Sequence, residues 1–279
     1  VSGNVYVRPA TENNRQLVAT NQIGTQDLAV HYPVYDTFET QVARGNVQGA
    51  YPFGSYGKRT ATGAETNRII WPDGTFTLPA AAGVQMTLVS TSANDAAAGT
   101  NIRKVELHYL DADLAPQSEI IELNGLTNVT TVATDIRFIQ CLHVHTYGTS
   151  PYAAGTITAK NAGTTYSQIS TGELRCSSSA RMVPFGKKCF VSGAVAGAVS
   201  GTAAAGVFIQ IVATELDTFQ YTNPMILFPH GGIGLQDTSV TFNFPVPLVF
   251  NAGTVIALSM STDKAAIVGA SWFGWLEDV

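Results

Sequence analysis

Charge is scarce in this chain. Only 13% of its 279 residues are Asp, Glu, Lys or Arg, about half the share of an ordinary soluble domain. Its Lys and Arg residues are scattered and the net charge is −5. A nucleic-acid binder needs a basic stripe to displace phosphate counterions, so nucleic acid is not an expected partner. Cysteine is scarce too. Cys141, Cys176 and Cys189 are odd in number and have no CxxC spacing. That argues against a secreted disulfide scaffold and predicts reduced, buried thiols. The start, "VSGNVYVRPATENN", lacks a basic stretch followed by an apolar core, and no signal peptide is expected. Residues 189–214 carry no charge and are long enough to cross a bilayer. Their middle is Gly, Ala, Ser and Thr and their ends read as strands, so two strands joined by a small-residue loop are expected, with no membrane partner.

What the chain does have is small and β-branched side chains, which suit strands and tight turns. Its length allows real cores without disulfide help. Residues 1–65 are polar, punctuated by Gly and Pro, and lack a sustained period. They are expected to form an irregular N-terminal arm that orders against a neighbouring subunit. Within the arm only Arg15 to Leu28 suggests a short helix, interrupted by Gly24. From about Ile69 the pattern has period two, with turn signals at short intervals. "VQMTLVS" sets Val84, Met86 and Leu88 on one face, and "DIRFIQCLHVHTY" does the same with Ile136, Phe138, Leu142 and Val144. Between them "RKVELHYLDADLAPQSEIIELNG" (103–125) reads as a hairpin with Val105, Leu107, Ile121 and Leu123 inward. Further strands are expected at 154–160, 189–196, 207–214, 239–244, 254–260 and 266–275. Pro245 and Pro247 confine "FNFPVPLVF" to an edge or an interrupted strand. The predicted fold class is all-β: two β-sandwich or jelly-roll-like domains, 66–165 and 166–279, preceded by the arm.

Three constellations could carry chemistry. The hairpin concentrates His108, Asp111, Asp113, Glu119 and Glu122. Any register with Leu107 and Ile121 inside puts Glu106 and Glu122 together on the wet face. One such register faces the two glutamates and would raise a pKa; another pairs Lys104 with Glu122. No cleft of the kind a glycosidase carboxylate pair needs is built here. Asp111-Ala-Asp113 also lacks the glycine and terminal glutamate of a calcium loop. A solvated hairpin face is the expectation. In "CLHVH", Cys141, His143 and His145 alternate and so share a face, and His108 on a neighbouring strand could complete a transition-metal site. The same face carries Arg137 and Tyr147, as a mixed surface or subunit contact would, and no metal is assigned. Third, Trp272, Phe273 and Trp275 near the C-terminus read as core on one face and subunit contact on the other, with a sugar-stacking platform as the alternative. "GGIG" (231–234) and "FGKK" (185–188) lack the settings of nucleotide sites, and His31 and His230 have no visible nucleophile partner. No catalytic or cofactor-binding residue is assigned, and the protein is not expected to be an enzyme.

One resemblance adds to this. "STSANDAAAGTNIRKVELHYLDADLAPQSEIIELNGLTNVTTVATDIRFIQ" (90–140), then "AGTIT" (154–158) and "VPFGKKCF" (183–190), resembles virion structural proteins of tailed bacteriophages, of the type found in phages of aquatic bacteria and cyanobacteria. The shared elements are a small-residue Asn-Asp-Ala-Ala-Gly-Thr segment, an "LDA" hairpin, an "LNG" turn, "GTIT" and a "VP-G-K" turn. They cover roughly 84–190 and are turn and strand motifs, with no chemistry in them. The resemblance implies a virion component, a capsid decoration (cement) protein or a tail part. It further implies a homo-oligomer, a trimer for instance, whose partners are capsid or other virion proteins, assembled in the host cytoplasm. A host-glycan receptor at the tail is the alternative role.

Overall fold

The computed structural model describes residues 17–23, 26–32, 37–199, 206–214, 225–234 and 238–279, and the side chains of 37–199, 206–214 and 239–279. The regular secondary structure of the described residues is nearly all strand, and the chain divides into two compact units, Val1–Pro52 and Phe53–Val279.

In the first unit, β1 (Leu17–Ile23) and β2 (Gln26–Tyr32) pair antiparallel, with Leu17 opposite Tyr32 and Ile23 opposite Gln26. The helix expected over Arg15 to Leu28 is therefore replaced by strands. Val18, Thr20, Ile23 and Val30 are β-branched and favour extended backbone. A single-turn helix, α1 (Phe38–Ala43), follows, its N-cap Thr37 accepting a hydrogen bond from the Thr40 amide. The rest of the expected arm before Thr37 lies outside the described residues.

The second unit takes in β3 (Ala50–Ala61) from Phe53 onward, and then β4 (Glu65–Ile69), β5 (Thr87–Ser90), β6 (Ile102–Leu110), β7 (Pro116–Glu122), β8 (Val129–Thr130) and β9 (Phe138–Tyr147). Next come β10 (Ile157–Asn161), β11 (Thr164–Ile169), β12 (Arg181–Met182), β13 (Lys187–Val199) and β14 (Gly206–Thr214). The chain ends with β15 (Met225–Gly234), β16 (Thr238–Phe250), β17 (Val255–Thr262) and β18 (Ala266–Asp278).

Two sheets built from the ends of this unit share one core. Their strand orders are β3-β18-β13-β16 and β4-β17-β14-β15, with β12 joining β17 beside β4. Each consecutive pair, β3–β4, β13–β14, β15–β16 and β17–β18, therefore has one strand in each sheet. Alternate residues of both sheets meet inside, among them Val191, Ala196, Ile209, Leu258, Val268 and Trp272. Residues between β4 and β13 build a second pair of sheets, β7-β6-β9 and β11-β10-β5-β8. These enclose their own core of Leu88, Val105, Leu107, Ile121, Leu142 and Ile157. A third apolar cluster joins the two: Trp71, Phe76 and Met182 meet Leu110 and Phe138 of the inserted strands.

The irregular arm predicted for 1–65 is corrected by β3 and the start of β4, which belong to the first sheet pair. The polarity that suggested an arm is satisfied internally. Arg59 is buried, and its Nε and Nη2 donate to the Glu65 carboxylate at 2.6 and 3.0 Å. Its Nη1 donates to the carbonyls of Trp71, Asp73 and Gly74. Phe53 meets Trp272 edge-on with ring centroids 5.6 Å apart. The prolines of β16 act as expected. The strand is the outermost of its sheet, and its register jumps between Asn243 and Leu248, leaving Pro245 and Pro247 outside the ladder. The charge-free run 189–214 is β13 and β14, with residues 200–205 outside the described set. Among the described residues no helix is long and apolar enough to cross a membrane.

Candidate functional site

The hairpin of β6 and β7 adopts the register that pairs Lys104 with Glu122, and the two side chains lie 3.4 Å apart. Glu106 stands opposite Ile120, so the two glutamates do not face one another. Asp111 in the loop and Glu119 on β7 have structural partners. Asp111 Oδ1 accepts from the amides of Asp113 and Ala115, and Glu119 accepts from those of Val132 and Ala133. A shallow cleft of about 420 Å³ lies beside them, lined by Tyr109, Asp111, Gln117, Glu119 and Asp135 among others. The Tyr109 phenol is pushed above its ordinary 10.0 by burial first and then by Glu119, Asp135 and Asp111.

Three of the turn motifs meet at one buried carboxylate. Asp95 of "NDAAAGT" is fully buried. Its Oδ1 accepts from the amides of Ile102 (3.2 Å) and Ala154 (3.0 Å), its Oδ2 from the Ser90 hydroxyl (2.7 Å) and the Gly155 amide (2.9 Å). Its carbonyl accepts from the Gly125 amide of "LNG". Asp95 thus ties "NDAAAGT", "LNG" and "AGTIT" into one knot. Gly155 cannot be replaced there, because a Cβ would sit 2.6 Å from the Ser92 nitrogen and Thr91 Oγ1.

The site that does gather reactive groups lies on the outer face of the β7-β6-β9 sheet. Alternation sends Val105 and Leu107 inward and leaves Glu106 and His108 outward. Across the ladder, Glu106 pairs with His143 and His108 with Cys141. Glu106 is the hub. Its Oε1 is 3.3 Å from His108 Nε2, and its Oε2 is 3.3 Å from His143 Nε2 and 3.5 Å from His145 Nδ1. The His108 and His143 rings stack at 5.0 Å with 13° between their planes. All three imidazoles are part-exposed, so small ions reach them from solvent.

Cys141 does not join this group, contrary to the spacing-based set Cys141, His143 and His145. The segment 174–176 runs along the other edge of β9, with the Cys176 amide donating to the Leu142 carbonyl. It brings Cys176 Sγ to 3.8 Å from Cys141 Sγ. That hydrogen bond, with burial, pushes the Cys141 thiol up from its ordinary 9.0. Cys189 sits in the other core, where burial pushes it up to about 12. All three cysteines are free. The side chain that sequence reasoning missed is Glu106, and its signal was present. Glu106-x-His108 and His143-x-His145 are two alternate-position pairs on strands expected to be neighbours.

The C-terminal tryptophans are not a platform. Trp272 is fully buried and donates through Nε1 to the Ser179 carbonyl. Trp275 is covered by Phe190, ring centroids 5.3 Å apart and nearly parallel, and donates to Glu277. The side chains of His31 and His230 lie outside the described set.

No protein-family model and no curated protein matches the chain. Among solved structures it is similar to that of the infectious bursal disease virus Gt strain, at a TM-score of 0.24 and 10% identity over 83% of this chain and 73% of that one. The Gx strain structure gives 0.24 and 8% over 82% and 71%. The VP2 subviral particle of the same virus gives 0.21 and 9% over 82% and 76%.

Proposed function

We propose that the chain is a non-enzymatic virion structural protein, a capsid decoration or cement protein of the tailed-phage type that its central segment resembles, acting as a homo-oligomer. The observation that carries this reading is the outer face of the β3-β18-β13-β16 sheet. Val195, Val199, Ile267 and Phe273 are exposed on it. Cross-strand pairing sets Val195 beside Thr241 and Ser271, and Val199 beside Ile267. The Phe273 ring lies over Gly193, where a Cβ would come within 2.6 Å of it. None of these residues is charged. Several exposed apolar side chains close together on one sheet face, with no charge among them, are the composition expected of a subunit contact rather than of solvated surface.

The strand order behind that face supports the same reading. Numbering the four pairs in chain order, they lie side by side as first, fourth, second and third, the arrangement of an eight-stranded jelly roll with two Greek keys. Such rolls serve as capsid, lectin and cupin domains, and the fold by itself does not choose among them. A void of about 20 Å³ lined by Ala194, Ile209, Phe242 and neighbours has room for about one water, not for a ligand.

The test is assembly. In size-exclusion chromatography with light scattering the wild type is expected to be oligomeric, and it should co-sediment with heads of the phage that encodes it. Val195→Glu with Ile267→Glu should give a folded monomer, with unchanged circular dichroism, that no longer assembles. A wild-type chain that is strictly monomeric and ignores capsids would overturn the proposal.

A further inference from the structure

We propose that Glu106, His108 and His143 form an open binding site for a divalent transition ion, Zn²⁺ foremost, on the outer face of the inserted sandwich. The ligand atoms of these three residues all lie within 4.8 Å of one another. Two of the separations, Glu106 Oε1 to His108 Nε2 and Glu106 Oε2 to His143 Nε2, are 3.3 Å. Ligands bound to zinc at 2.0–2.1 Å in a tetrahedron stand about 3.3–3.4 Å apart, so each of the two histidine nitrogens is at that spacing from one of the two carboxylate oxygens. Two imidazoles and one carboxylate suit zinc, nickel, cobalt or iron(II) and do not suit calcium or magnesium, which take oxygen.

The scaffold fixes this geometry. Glu106 and His143 are directly paired on adjacent strands, and His108 is two residues along from Glu106 on the same face. Three ligands from two hydrogen-bonded strands need no loop to close around the ion. The His108 and His143 rings stack 5.0 Å apart, and each has its Nε2 3.3 Å from the Glu106 carboxylate. His145, whose Nδ1 is 3.5 Å from Glu106 Oε2, is left to hold the carboxylate in place. In the isolated chain the fourth position falls to water. Arg175 is bridged through its backbone to His143 and is a cation beside it in the ladder. It disfavours weakly held ions and makes the donor set's affinity the deciding term.

The experiment uses the full, tag-free chain. Isothermal titration with ZnCl₂ and elemental analysis after gel filtration are expected to show one Zn²⁺ per chain at micromolar affinity. CoCl₂ should give visible ligand-field bands that Zn²⁺ abolishes. His108→Ala with His143→Ala, and Glu106→Gln alone, should each weaken Zn²⁺ at least tenfold, and His145→Ala should weaken it less than either. The site is exposed, so apo circular dichroism and melting temperature should be unchanged in every variant. Absence of stoichiometric zinc at 100 µM free metal overturns the proposal, and so does binding that survives the double histidine variant. Assembly is read separately, so loss of this site leaves the structural role standing and the converse.

Discussion

Asp95 shows how much one buried carboxylate organises. Four donors converge on it from three separate turns, and each hydrogen bond to a charged group contributes about 1.5–3 kcal/mol. Asp95→Ala leaves those donors without a partner, and Asp95→Asn aims an amide at some of them. Urea denaturation is expected to show a loss of about 3 kcal/mol or more for either, against under 1 kcal/mol for exposed Asp113→Asn. The thiol of Cys189 sets a second residue-scale expectation. Its shift from 9.0 to about 12 by burial leaves a thiolate fraction at pH 8 about a thousandfold below that of a free cysteine, and the nucleophile is the thiolate. Iodoacetamide at pH 8 should leave Cys189 unmodified in the native protein and label it fully in urea, as read by peptide mass spectrometry. The sign of the pH effect follows: the folded state holds the neutral thiol, so this contribution is intact below pH 9 and is lost as pH rises toward 12. Cys189→Ala should therefore flatten the alkaline loss of stability.

Among the elements, β16 was legible because its prolines have a single meaning. They cannot donate to a ladder, and the strand they occupy is outermost, with Pro245 and Pro247 bulged out between Asn243 and Leu248. They also guard that edge. Pro245→Val with Pro247→Val should restore a continuous, apolar edge beside Val246 and Val249, and light scattering at 37 °C is expected to show faster aggregation than wild type. Inward faces such as Val105, Leu107, Ile121 and Leu123 were equally legible, since period two is a local signal. The β3 and β4 strands were not. Their partners, β18 and β17, lie some two hundred residues away, and the buried Arg59–Glu65 pair reads in sequence as solvated charge. The candidate metal site was half legible for a related reason. Alternation placed His143 and His145 on one face, while the choice of Glu106 over Cys141 depended on the inter-strand register and on Cys176 arriving from another segment.

At the scale of the whole second unit, the question is whether the two sheet pairs, one formed from strands between those of the other, behave as one body. Each has its own core, and the contact between them is an apolar cluster rather than a polar seam. Phe138 of the insert is almost fully buried there, 6.4 Å from Phe76, which in turn meets Trp71 edge-on at 5.6 Å. Truncating such a side chain costs about 3–5 kcal/mol, enough to uncouple two cores that could each persist alone. The chain supplies its own probes. Its three tryptophans, Trp71, Trp272 and Trp275, all lie outside the inserted strands, so their fluorescence follows the outer sheet pair and, through Trp71, the junction, while far-ultraviolet dichroism follows both parts. In the wild type the two thermal transitions are expected to coincide, as one cooperative unit requires. In Phe138→Ala they should separate, with part of the dichroism lost before the fluorescence changes. Superimposed transitions in Phe138→Ala would mean that the remaining junction, Leu110 against Met182 and Trp71, is sufficient to couple the two cores. The exposed sheet face and the Glu106 site would then be carried by a single rigid body.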